Sequence, residues 1–531
     1  MTLLSIKDLH LSIHGTKILH GLSLSVEASQ IVGVIGESGS GKSMTAYCAT
    51  QLLPTGSHTR GEITLDGTNI LAASEKTMCA LRGNDISMVF QEPTTALNPV
   101  QTIGKQVAET ILIHEPGTSK ADAMERATEA LKRVELPNNQ FPLSRLPHEM
   151  SGGQRQRVVI AMAIALRPKL LIADEPTTAL DVTTQAEILL LLTRLVREDG
   201  MGLMMISHDL AVVNGMADHI HIMQRGRIVE HGPVKTLFQT MQHSYSKALL
   251  AASAHVPDRN PPNTETPLLK VQNVTRDYTL PRQALFAKRG TFRAIADVSF
   301  TIHKGESLGL VGESGCGKST LTRAILGLEQ IQRGEILLSG EPVFTDKKSN
   351  RAVRRKMQVV FQDPYGSFNP RHRVSRLVSE PLHLLDTTPV DSRDRVVEAL
   401  TSVGLRPEDA DKYPHEFSGG QRQRIAIARA LIIKPELIIL DEAVSALDVS
   451  IRAQILDLLA ELSSVHGLTY LFISHDLSVV RSITDRVLVM KAGKIVEQGQ
   501  TDQVFDTPTH AYTKNLIYAA PQLPANVRTM I

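Results

Sequence analysis

The strongest constraint on the fold is that the sequence is written twice within one chain. The segment SGGQRQR begins at residue 151 and again at 418, and ISHDL begins at 206 and again at 473, so each pair is separated by 267 residues. A repeat this long, in a chain of 531 residues, predicts two similar domains that each bury a core of their own.

The segment between the repeats, HVPDRNPPNTETP, is rich in proline, asparagine and charged residues, which is typical of an exposed linker. We place this linker at 255–267 and the two domains at 1–254 and 268–531. The second copy carries additional residues near its start, in a basic loop at 281–293, for which we predict a solvated hairpin tip.

Each half alternates strand and helix patterns. Short apolar runs, such as IVGVIG at 31–36, LLIAD at 170–174 and LMMIS at 203–207, are bounded by glycine or charge and predict buried parallel strands. Leucines at helical spacing in 186–198 and 453–465 predict helices that cover the sheet. The fold class is therefore α/β, present twice.

The composition excludes several classes of protein. Apolar residues make up 42% and the net charge is only +2, which describes a globular protein without the basic surface that a nucleic-acid partner requires. Three cysteines without metal-ligand spacing favour a reducing compartment. Charges at Lys7 and Asp8 argue against a secretory signal, and the apolar run at 158–166 is too short to span a membrane.

Two glycine-rich segments predict phosphate binding. GESGSGKS at 36–43 and GESGCGKS at 312–319 both match G-x-x-x-x-G-K-[ST], and each follows an apolar strand. Backbone N–H groups and the following helix N-terminus bind phosphate oxygens, the lysine adds a charge, and the serine hydroxyl ligates Mg²⁺. The predicted nucleotide-binding residues are Gly36, Glu37, Ser38, Gly39, Ser40, Gly41, Lys42 and Ser43, and Gly312, Glu313, Ser314, Gly315, Cys316, Gly317, Lys318, Ser319 and Thr320.

Adjacent carboxylates end a later strand in each half. In LLIADE and LIILDE the aspartates Asp174 and Asp441 are predicted to hold Mg²⁺, while the glutamates Glu175 and Glu442 polarise the attacking water. A lone pair of carboxylates would equally suit a solvated strand end, but behind a phosphate loop the catalytic interpretation is favoured.

A histidine ends a further strand in each half. His208 and His475 lie within ISHD, and each follows the catalytic glutamate of its own half by 33 residues. We predict that these two imidazoles reach the γ-phosphate of a bound nucleotide.

Together the phosphate loop, SGGQ, DE and the late histidine resemble the ATP-binding cassette (ABC) ATPases over essentially the whole chain. The resemblance implies two tandem P-loop NTPase domains, each with a RecA-like core and a helical subdomain, in which each ATP lies between one half's phosphate loop and the other half's signature. It adds the Q-loop glutamines Gln91 and Gln362 as catalytic and Mg²⁺-binding residues. The signature residues that it implies for nucleotide contact are Ser151, Gly152, Gly153 and Gln154, and Ser418, Gly419, Gly420 and Gln421.

The segments FQEPTTALNP, PHEMSGGQRQR and HSYSKALL narrow the resemblance to the oligopeptide, dipeptide and nickel importer branch, in its fused microcin-C and peptide importer form. This implies an ATPase that energises peptide uptake through two separate inner-membrane permease subunits, supplied by a periplasmic substrate-binding protein. Its expected place is the cytoplasmic face of the bacterial inner membrane, as a peripheral subunit, with the loop at 281–293 as a possible contact to permease or lipid.

The chain departs from the family pattern at three places. The aromatic residue expected to stack on adenine is Tyr278 in the second half, but Ile13 occupies the matching position in the first. The second half reads DEAVSALD where DEP is usual, from which we expect little catalytic effect. No cysteine follows Cys316, so an iron–sulfur cluster of the kind many relatives carry is not predicted.

Other functions within the superfamily stay open at this level. A ribosome-associated translation factor would have a long charged linker and a footprint for RNA, whereas this linker is short and rich in proline. An exporter would commonly carry membrane spans in the same chain. Among importers, glutathione and nickel chelates remain alternatives to peptides, because the ATPase does not line the transport path.

Overall fold

The computed structural model describes residues 2–91, 93–178, 180–259, 265–280, 289–346, 348–387 and 389–523, with only the backbone described at 93, 94 and 365. Residues 281–288 of the predicted hairpin loop lie outside the described residues. The chain forms two halves with nearly the same order of strands and helices.

The first half combines a mainly parallel sheet with a smaller antiparallel sheet and helices. Its strands are β1 Thr2–Ile13, β2 Thr16–Glu27, β3 Ile31–Ile35, β4 Ser57–Leu65, β5 Thr68–Asn69, β6 Ile86–Val89, β7 Leu170–Asp174, β8 Gly202–Ser207, β9 His219–Gln224 and β10 Arg227–Pro233. Its helices are α1 Lys42–Thr50, α2 Glu75–Leu81, α3 Pro93–Ala96, α4 Ile103–His114, α5 Lys120–Arg133, α6 Gly152–Ile164, α7 Val182–Asp199, α8 Leu210–Asn214, α9 Val234–Thr240 and α10 Ser244–Ser253.

The second half repeats this arrangement. Its strands are β11 Pro267–Thr279, β12 Thr291–His303, β13 Ser307–Val311, β14 Arg333–Leu338, β15 Glu341–Pro342, β16 Phe344–Thr345, β17 Lys348–Ser349, β18 Met357–Val360, β19 Leu437–Asp441, β20 Thr469–Ile473, β21 Arg486–Lys491 and β22 Lys494–Gln500. Its helices are α11 Lys318–Ile325, α12 Arg351–Arg355, α13 Pro364–Ser367, α14 Val374–Ser379, α15 Ser392–Ser402, α16 Gly419–Leu431, α17 Val449–His466, α18 Leu477–Ile483, α19 Thr501–Asp506 and α20 Ala511–Ala519.

The sheet order brings the predicted motifs to one edge. In the first half the order is β10-β9-β3-β8-β7-β6, and the second half has the matching order β22-β21-β13-β20-β19-β18. Strands β3, β8 and β7 are parallel neighbours, so the segments that follow their carboxyl ends lie side by side. These segments carry the phosphate loop, the late histidine and the paired carboxylates, which confirms the predicted α/β fold.

A group of helices forms a subdomain beside each sheet. Helices α4, α5 and α6 pack on one another, as do α14, α15 and α16 in the second half. Residues 158–164 of the apolar run lie in α6, which begins earlier, at Gly152, because Ser151 caps its amino terminus. The described part of the chain contains no helix that is both long and apolar enough to cross a membrane.

The two halves contact each other through exchanged helices. Helix α10, at the end of the first half, packs on α17 of the second, and α20 packs on α7 of the first. Leu523 continues this contact, since it packs against the hydrophobic core of the first half. Each half therefore holds the last helix of the other.

The predicted linker is docked against the second half over its first residues. His255 Nε2 lies 2.6 Å from Asp457 Oδ1, and the guanidinium of Arg259 donates to the Ile483 carbonyl oxygen and, at 3.1 Å, to Asp485 Oδ2. Strand β11 begins at Pro267, the last residue of the predicted linker. The composition had indicated an exposed linker, but His255 and Arg259 pair with residues of the second half.

Candidate active site

The two phosphate loops have the same geometry. Lys42 Nζ donates to the carbonyl oxygens of Gly36, at 2.6 Å, and Glu37, at 3.0 Å, and Lys318 makes the equivalent bonds at 2.6 and 2.9 Å. Gly41 caps α1 with a φ of 102°, in the left-handed region that glycine tolerates best. The loop thus arches over its own lysine, as a phosphate cradle requires.

The first glycine of each loop is required by a close approach to a neighbouring strand. A Cβ added at Gly36 would lie 2.3 Å from the carbonyl oxygen of Met223, and one at Gly312 would lie 2.2 Å from that of Met490. Substitution of either glycine would therefore push the loop away from the sheet.

The residues predicted to bind Mg²⁺ meet the requirements of a hard cation. Asp174 is buried at the end of β7, hydrogen-bonds with Ser43, and its Oδ1 has no hydrogen-bond partner among the described residues. Burial raises the pKa of Asp174, and burial together with the neighbouring Glu442 raises the pKa of Asp441. A divalent cation would supply the missing partner and favour the ionised carboxylate.

In the first half the predicted catalytic side chains contact one another. Glu175 Oε1 lies 3.3 Å from His208 Nδ1. Its other oxygen accepts hydrogen bonds from Gln91 Nε2 and Thr178 Oγ1, both at 2.9 Å. Gln91 therefore uses its amide nitrogen on the glutamate, which leaves the amide oxygen as the atom that would reach a metal ion.

The second half repeats the glutamate–histidine pair. Glu442 Oε1 lies 3.3 Å from His475 Nδ1, the same separation as in the first half. We refer below to Lys42, Glu175 and His208 as site 1, and to the equivalent Lys318, Glu442 and His475 as site 2.

The charges at site 1 support an ionised carboxylate beside a histidine that is readily protonated. Burial acts to raise the pKa of Glu175, but the hydrogen bond and charge of His208 outweigh it and hold that pKa below its ordinary value. Burial acts to lower the pKa of His208, but the Glu175 carboxylate raises it overall. An ionised glutamate is the form that can orient or deprotonate a water molecule.

The backbone of both predicted catalytic glutamates lies in the left-handed region, a feature that sequence patterns did not reveal. The φ angle is 47° at Glu175 and 51° at Glu442. The two values agree although proline follows the first glutamate and Ala443 follows the second. The absence of proline in DEAVSALD therefore leaves the conformation of the glutamate unchanged, and strained backbone of this kind is typical of functional sites.

Each SGGQ segment forms the start of a long helix. Ser151 Oγ accepts from Gln154 N, and Ser151 N donates to Gln154 Oε1, a reciprocal cap that Ser418 and Gln421 repeat. The side chains of both glutamines are used inside the cap. Ser151 and Gly152 are exposed at the amino terminus of α6, where an anion is favourably bound.

The halves meet head to tail at the phosphate loops. Asp448 Oδ1 accepts hydrogen bonds from Ser38 N at 2.8 Å and Ser38 Oγ at 2.9 Å. In the mirrored contact, Asp181 Oδ2 accepts from Ser314 N at 3.4 Å. These aspartates end the segments TALD and SALD, and sequence reasoning gave neither residue a role; their equal distance from the two DE motifs was the available signal.

The predicted adenine-stacking position differs between the halves in the way the sequence indicated. Ile13 and Tyr278 occupy equivalent places in β1 and β11, where they pair with Thr16 and Phe292. The Arg276 guanidinium lies over one face of the Tyr278 ring, 4.7 Å from its centroid, and the Tyr278 hydroxyl donates to Glu329. The Arg276 guanidinium therefore leaves only the opposite face of the Tyr278 ring uncovered.

Comparison with known proteins gives independent evidence for the family to which the chain belongs. A family model described as "ABC transporter" matches residues 19–178 and 295–445, and one described as "Oligopeptide/dipeptide transporter, C-terminal region" matches 496–530. The peptidoglycan transport ATP-binding protein YejF of Agrobacterium fabrum is 44% identical over 98% of this chain and 97% of its own. The glutathione import ATP-binding protein GsiA of Escherichia coli is 44% identical over 95% of this chain and 86% of its own.

Among solved structures, cbiO1 from Clostridium perfringens, part of the ABC transporter complex cbiONQ, is 30% identical. It aligns over 50% of this chain and 99% of its own, with a TM-score of 0.41. The two family-model matches cover more than half of the chain, and both halves contain the phosphate loop, paired carboxylates and histidine in contact. The chain therefore belongs to the ABC transporter ATPases and hydrolyses ATP with two cassettes in one polypeptide.

Proposed function

We propose that this ATPase powers the import of short peptides through separate permease subunits. The main observation that supports this proposal is a reciprocal pair of hydrogen bonds. Asp448 accepts one from the phosphate loop of site 1, and Asp181 accepts one from the phosphate loop of site 2. Because each site is completed by the opposite half, ATP binding can be coupled to movement of the halves against a permease.

The proposed division of the chain follows the repeat, with nucleotide-binding domains at 1–254 and 268–531 and a linker at 255–267. In each site the lysine and loop N–H groups hold the phosphates, and Ser43, Gln91 and Asp174, or their equivalents, would hold Mg²⁺. When bound, the ion would supply charge neutralisation at the phosphates. The glutamate then orients the attacking water, and the histidine fixes the glutamate and donates to the γ-phosphate.

The substrate class rests on the relatives and on the carboxyl-terminal region. Two similar proteins are named for peptidoglycan transport and glutathione import, and glutathione is itself a tripeptide. We therefore propose a di- or oligopeptide, or a peptide-like compound, as cargo. The proposed partners are two inner-membrane permease subunits and a periplasmic binding protein, with the ATPase peripheral on the cytoplasmic face.

Transport assays test this proposal directly. The ATPase is reconstituted in vesicles with the permease encoded beside it, and uptake is measured for a panel of dipeptides, oligopeptides, glutathione and nickel chelates. Peptide-stimulated ATP hydrolysis with accumulation of peptide is expected. Uptake of the nickel chelate alone, or stable co-sedimentation with ribosomes instead of membranes, would contradict it.

Single substitutions test whether both sites turn over. Glu175→Gln or Glu442→Gln should each slow ATP hydrolysis by about 10²–10⁴-fold, because water activation is lost. Glu461→Gln, an exposed position on α17, is the matched control and should retain activity. If Glu175→Gln or Glu442→Gln kept the full rate of ATP hydrolysis, the substituted site would have a structural role only.

A further inference from the structure

The first turn of α17, in the second half, is docked on the first half. Asp448 precedes this helix without a side-chain capping bond and accepts from Ser38 of the phosphate loop, while Val449 packs into the hydrophobic core of the first half. Arg452 N donates to the Asp448 carbonyl oxygen at 2.8 Å, one helical turn further along. Residues four apart share a helix face, so Arg452 lies on the side of α17 that meets the first half.

The Arg452 side chain lines the same cavity as the two histidines, His208 and His475. Its Nη1 donates to Asp476 Oδ2 at 2.7 Å, and Asp476 directly follows His475 of site 2. Arg452 and His208 of site 1 line the same cavity, of about 1290 Å³, between the halves. The guanidinium also contributes to the electrostatic environment of His208, where its positive charge opposes protonation of the imidazole.

One buried N–H donor of the Arg452 guanidinium lacks a hydrogen-bond acceptor among the described residues. The Arg452 side chain is 13% exposed, and its Nε is buried without a hydrogen-bond partner among the described residues. A buried donor of a charged group that lacks a partner is costly. This cost is more easily explained if Arg452 acts in an arrangement of the two halves that forms during the reaction cycle than if Arg452 contributes to stability.

The repeat supplies a neutral counterpart to Arg452. The equivalent position on α7 is Gln185, whose Nε2 donates to Thr177 Oγ1 within its own half at 3.4 Å. Asp209, the counterpart of Asp476, caps α8 through Ala211 N at 2.8 Å. The second half therefore places a cation, Arg452, in the cavity lined by His208 of site 1. The first half has a neutral glutamine, Gln185, at the equivalent position.

We propose that Arg452 is a positioning residue that acts across the interface, linking the His475 segment of site 2 to the His208 segment of site 1. Its bond to Asp476 fixes the strand end that carries His475, and its guanidinium faces the histidine of the other site. Movement of the halves during the ATP cycle then changes both histidine segments together. The two ATP sites are coupled through this residue and are unequal.

This inference rests on the proposed catalytic function of sites 1 and 2, which the glutamate substitutions test separately. The test compares two variants. Arg452→Gln introduces the neutral side chain that the first half has at Gln185, and Arg452→Lys keeps the positive charge. Arg481→Gln is the matched control, because Arg481 lines the same cavity but bonds to Asp506, at 2.8 Å, on its own half. Each full-length protein is assayed for ATP hydrolysis, for cooperativity in ATP, and for thermal unfolding.

In Arg452→Gln, kcat should fall about 2- to 30-fold, the range expected for a residue that couples two sites, with a smaller change in KM and a lower Hill coefficient. The alkaline limb of the pH–rate profile should also move to higher pH, because His208 must be an imidazolium to donate to both Glu175 and the γ-phosphate. The charged groups that face His208 are Glu175, Asp209 and Arg452, and loss of the cation leaves only the two carboxylates, which favour the imidazolium.

The charge-preserving variant and the control separate positioning from packing. Arg452→Lys should keep the position of the alkaline limb, and Arg481→Gln should keep both kcat and the Hill coefficient. An unmoved alkaline limb and an unchanged Hill coefficient in folded Arg452→Gln would overturn the proposal. The same loss in Arg452→Lys as in Arg452→Gln, accompanied by a lower unfolding temperature in both, would assign Arg452 to structure alone.

Discussion

The backbone nitrogen of Ser38 lies 2.8 Å from Oδ1 of Asp448, although 410 positions separate the two residues in the chain. Asp448 accepts a second hydrogen bond from the Ser38 hydroxyl at 2.9 Å, whereas the mirrored pair, Asp181 and Ser314, has one bond at 3.4 Å. The interface between the halves is therefore tighter at site 1 than at site 2.

Removing these two aspartates should have different effects. Asp448→Ala removes the contact to Ser38 without removing a helix cap, because the Asp448 carboxylate makes no capping bond, so stability should change little. Because the contact is partly exposed, its loss should weaken ATP-dependent pairing of the halves by on the order of 1 kcal/mol, seen as a several-fold higher KM for ATP. Steady-state ATPase assays measure this.

Asp181→Ala is the comparison, because the Asp181 carboxylate also caps α7 through Thr184 N at 3.1 Å. Loss of that cap should lower the free energy of unfolding by about 1 kcal/mol, measured by urea denaturation. A wild-type KM for ATP in Asp448→Ala would contradict a role for this contact in closure.

A cluster of three histidines in the first half should make the protein sensitive to acid. The rings of His219, His221 and His231 lie with centroids 5.3–6.0 Å apart, and His221 is buried with its Nδ1 lacking a partner among the described residues. Burial, with the charges of His219 and His231, lowers the pKa of His221 to about 3. The unfolded chain therefore binds a proton that the folded chain resists, so stability falls as pH decreases from the ordinary pKa of 6.5.

The repeat provides the test substitution, since Leu488 stands at the position equivalent to His221. His221→Leu should be more stable than the wild type at pH 4, by roughly 2–3 kcal/mol, and the difference should shrink as pH rises toward 7. Thermal unfolding across this pH range measures the effect. Equal acid sensitivity in the two proteins would show that His221 does not titrate below its ordinary range.

The three cysteines should differ sharply in reactivity. Cys79 is exposed on α2, whereas Cys48 and Cys316 are buried. Burial raises the pKa of the Cys48 thiol to about 12 and also raises that of Cys316, so the reactive thiolate is scarce at both. A disulfide reagent at pH 8 should modify one thiol rapidly in the native protein and the others only after unfolding. Cys79→Ser should remove the fast phase; a fast phase that persists would indicate access to a phosphate-loop cysteine.

The two ATP sites should also differ in their affinity for adenine. Tyr278→Ile gives site 2 the residue found at site 1 and should weaken nucleotide binding there by about 1–3 kcal/mol, the contribution of a base stacked on an aromatic ring. Photolabelling with an azido-ATP analogue, followed by cleavage in the linker, reports each half separately.

Ile13→Tyr is the reciprocal change and should strengthen labelling of the first half. Tyr518→Ile is the control, because that tyrosine is 91% exposed in the second half. Unchanged labelling of both halves in Tyr278→Ile would mean that adenine does not stack on this ring.

Much of each cassette is determined by short-range features of the sequence. Glycines at 36 and 41 allow the loop its close approach and left-handed cap, and apolar runs set β3, β7 and β8. The serine of SGGQ caps its helix as the pattern predicts. Each of these features is written as a short local pattern, so a single sequence carries it, and the repeat shows that the patterns occur twice.

The tertiary structure decided the relations between distant segments. Sequence patterns did not reveal the left-handed glutamates, the docking of the linker, the exchange of α10 and α20, or the bridge from Arg452 toward His208. Each of these depends on which surfaces meet after both cores have formed, across separations of up to 410 residues. Local propensity and hydrophobic period describe one segment at a time. The pairing of two surfaces depends on their shape and charge together, and this is why the contact of Asp448 at site 1 differs from that of Asp181 at site 2 although the motifs are nearly the same.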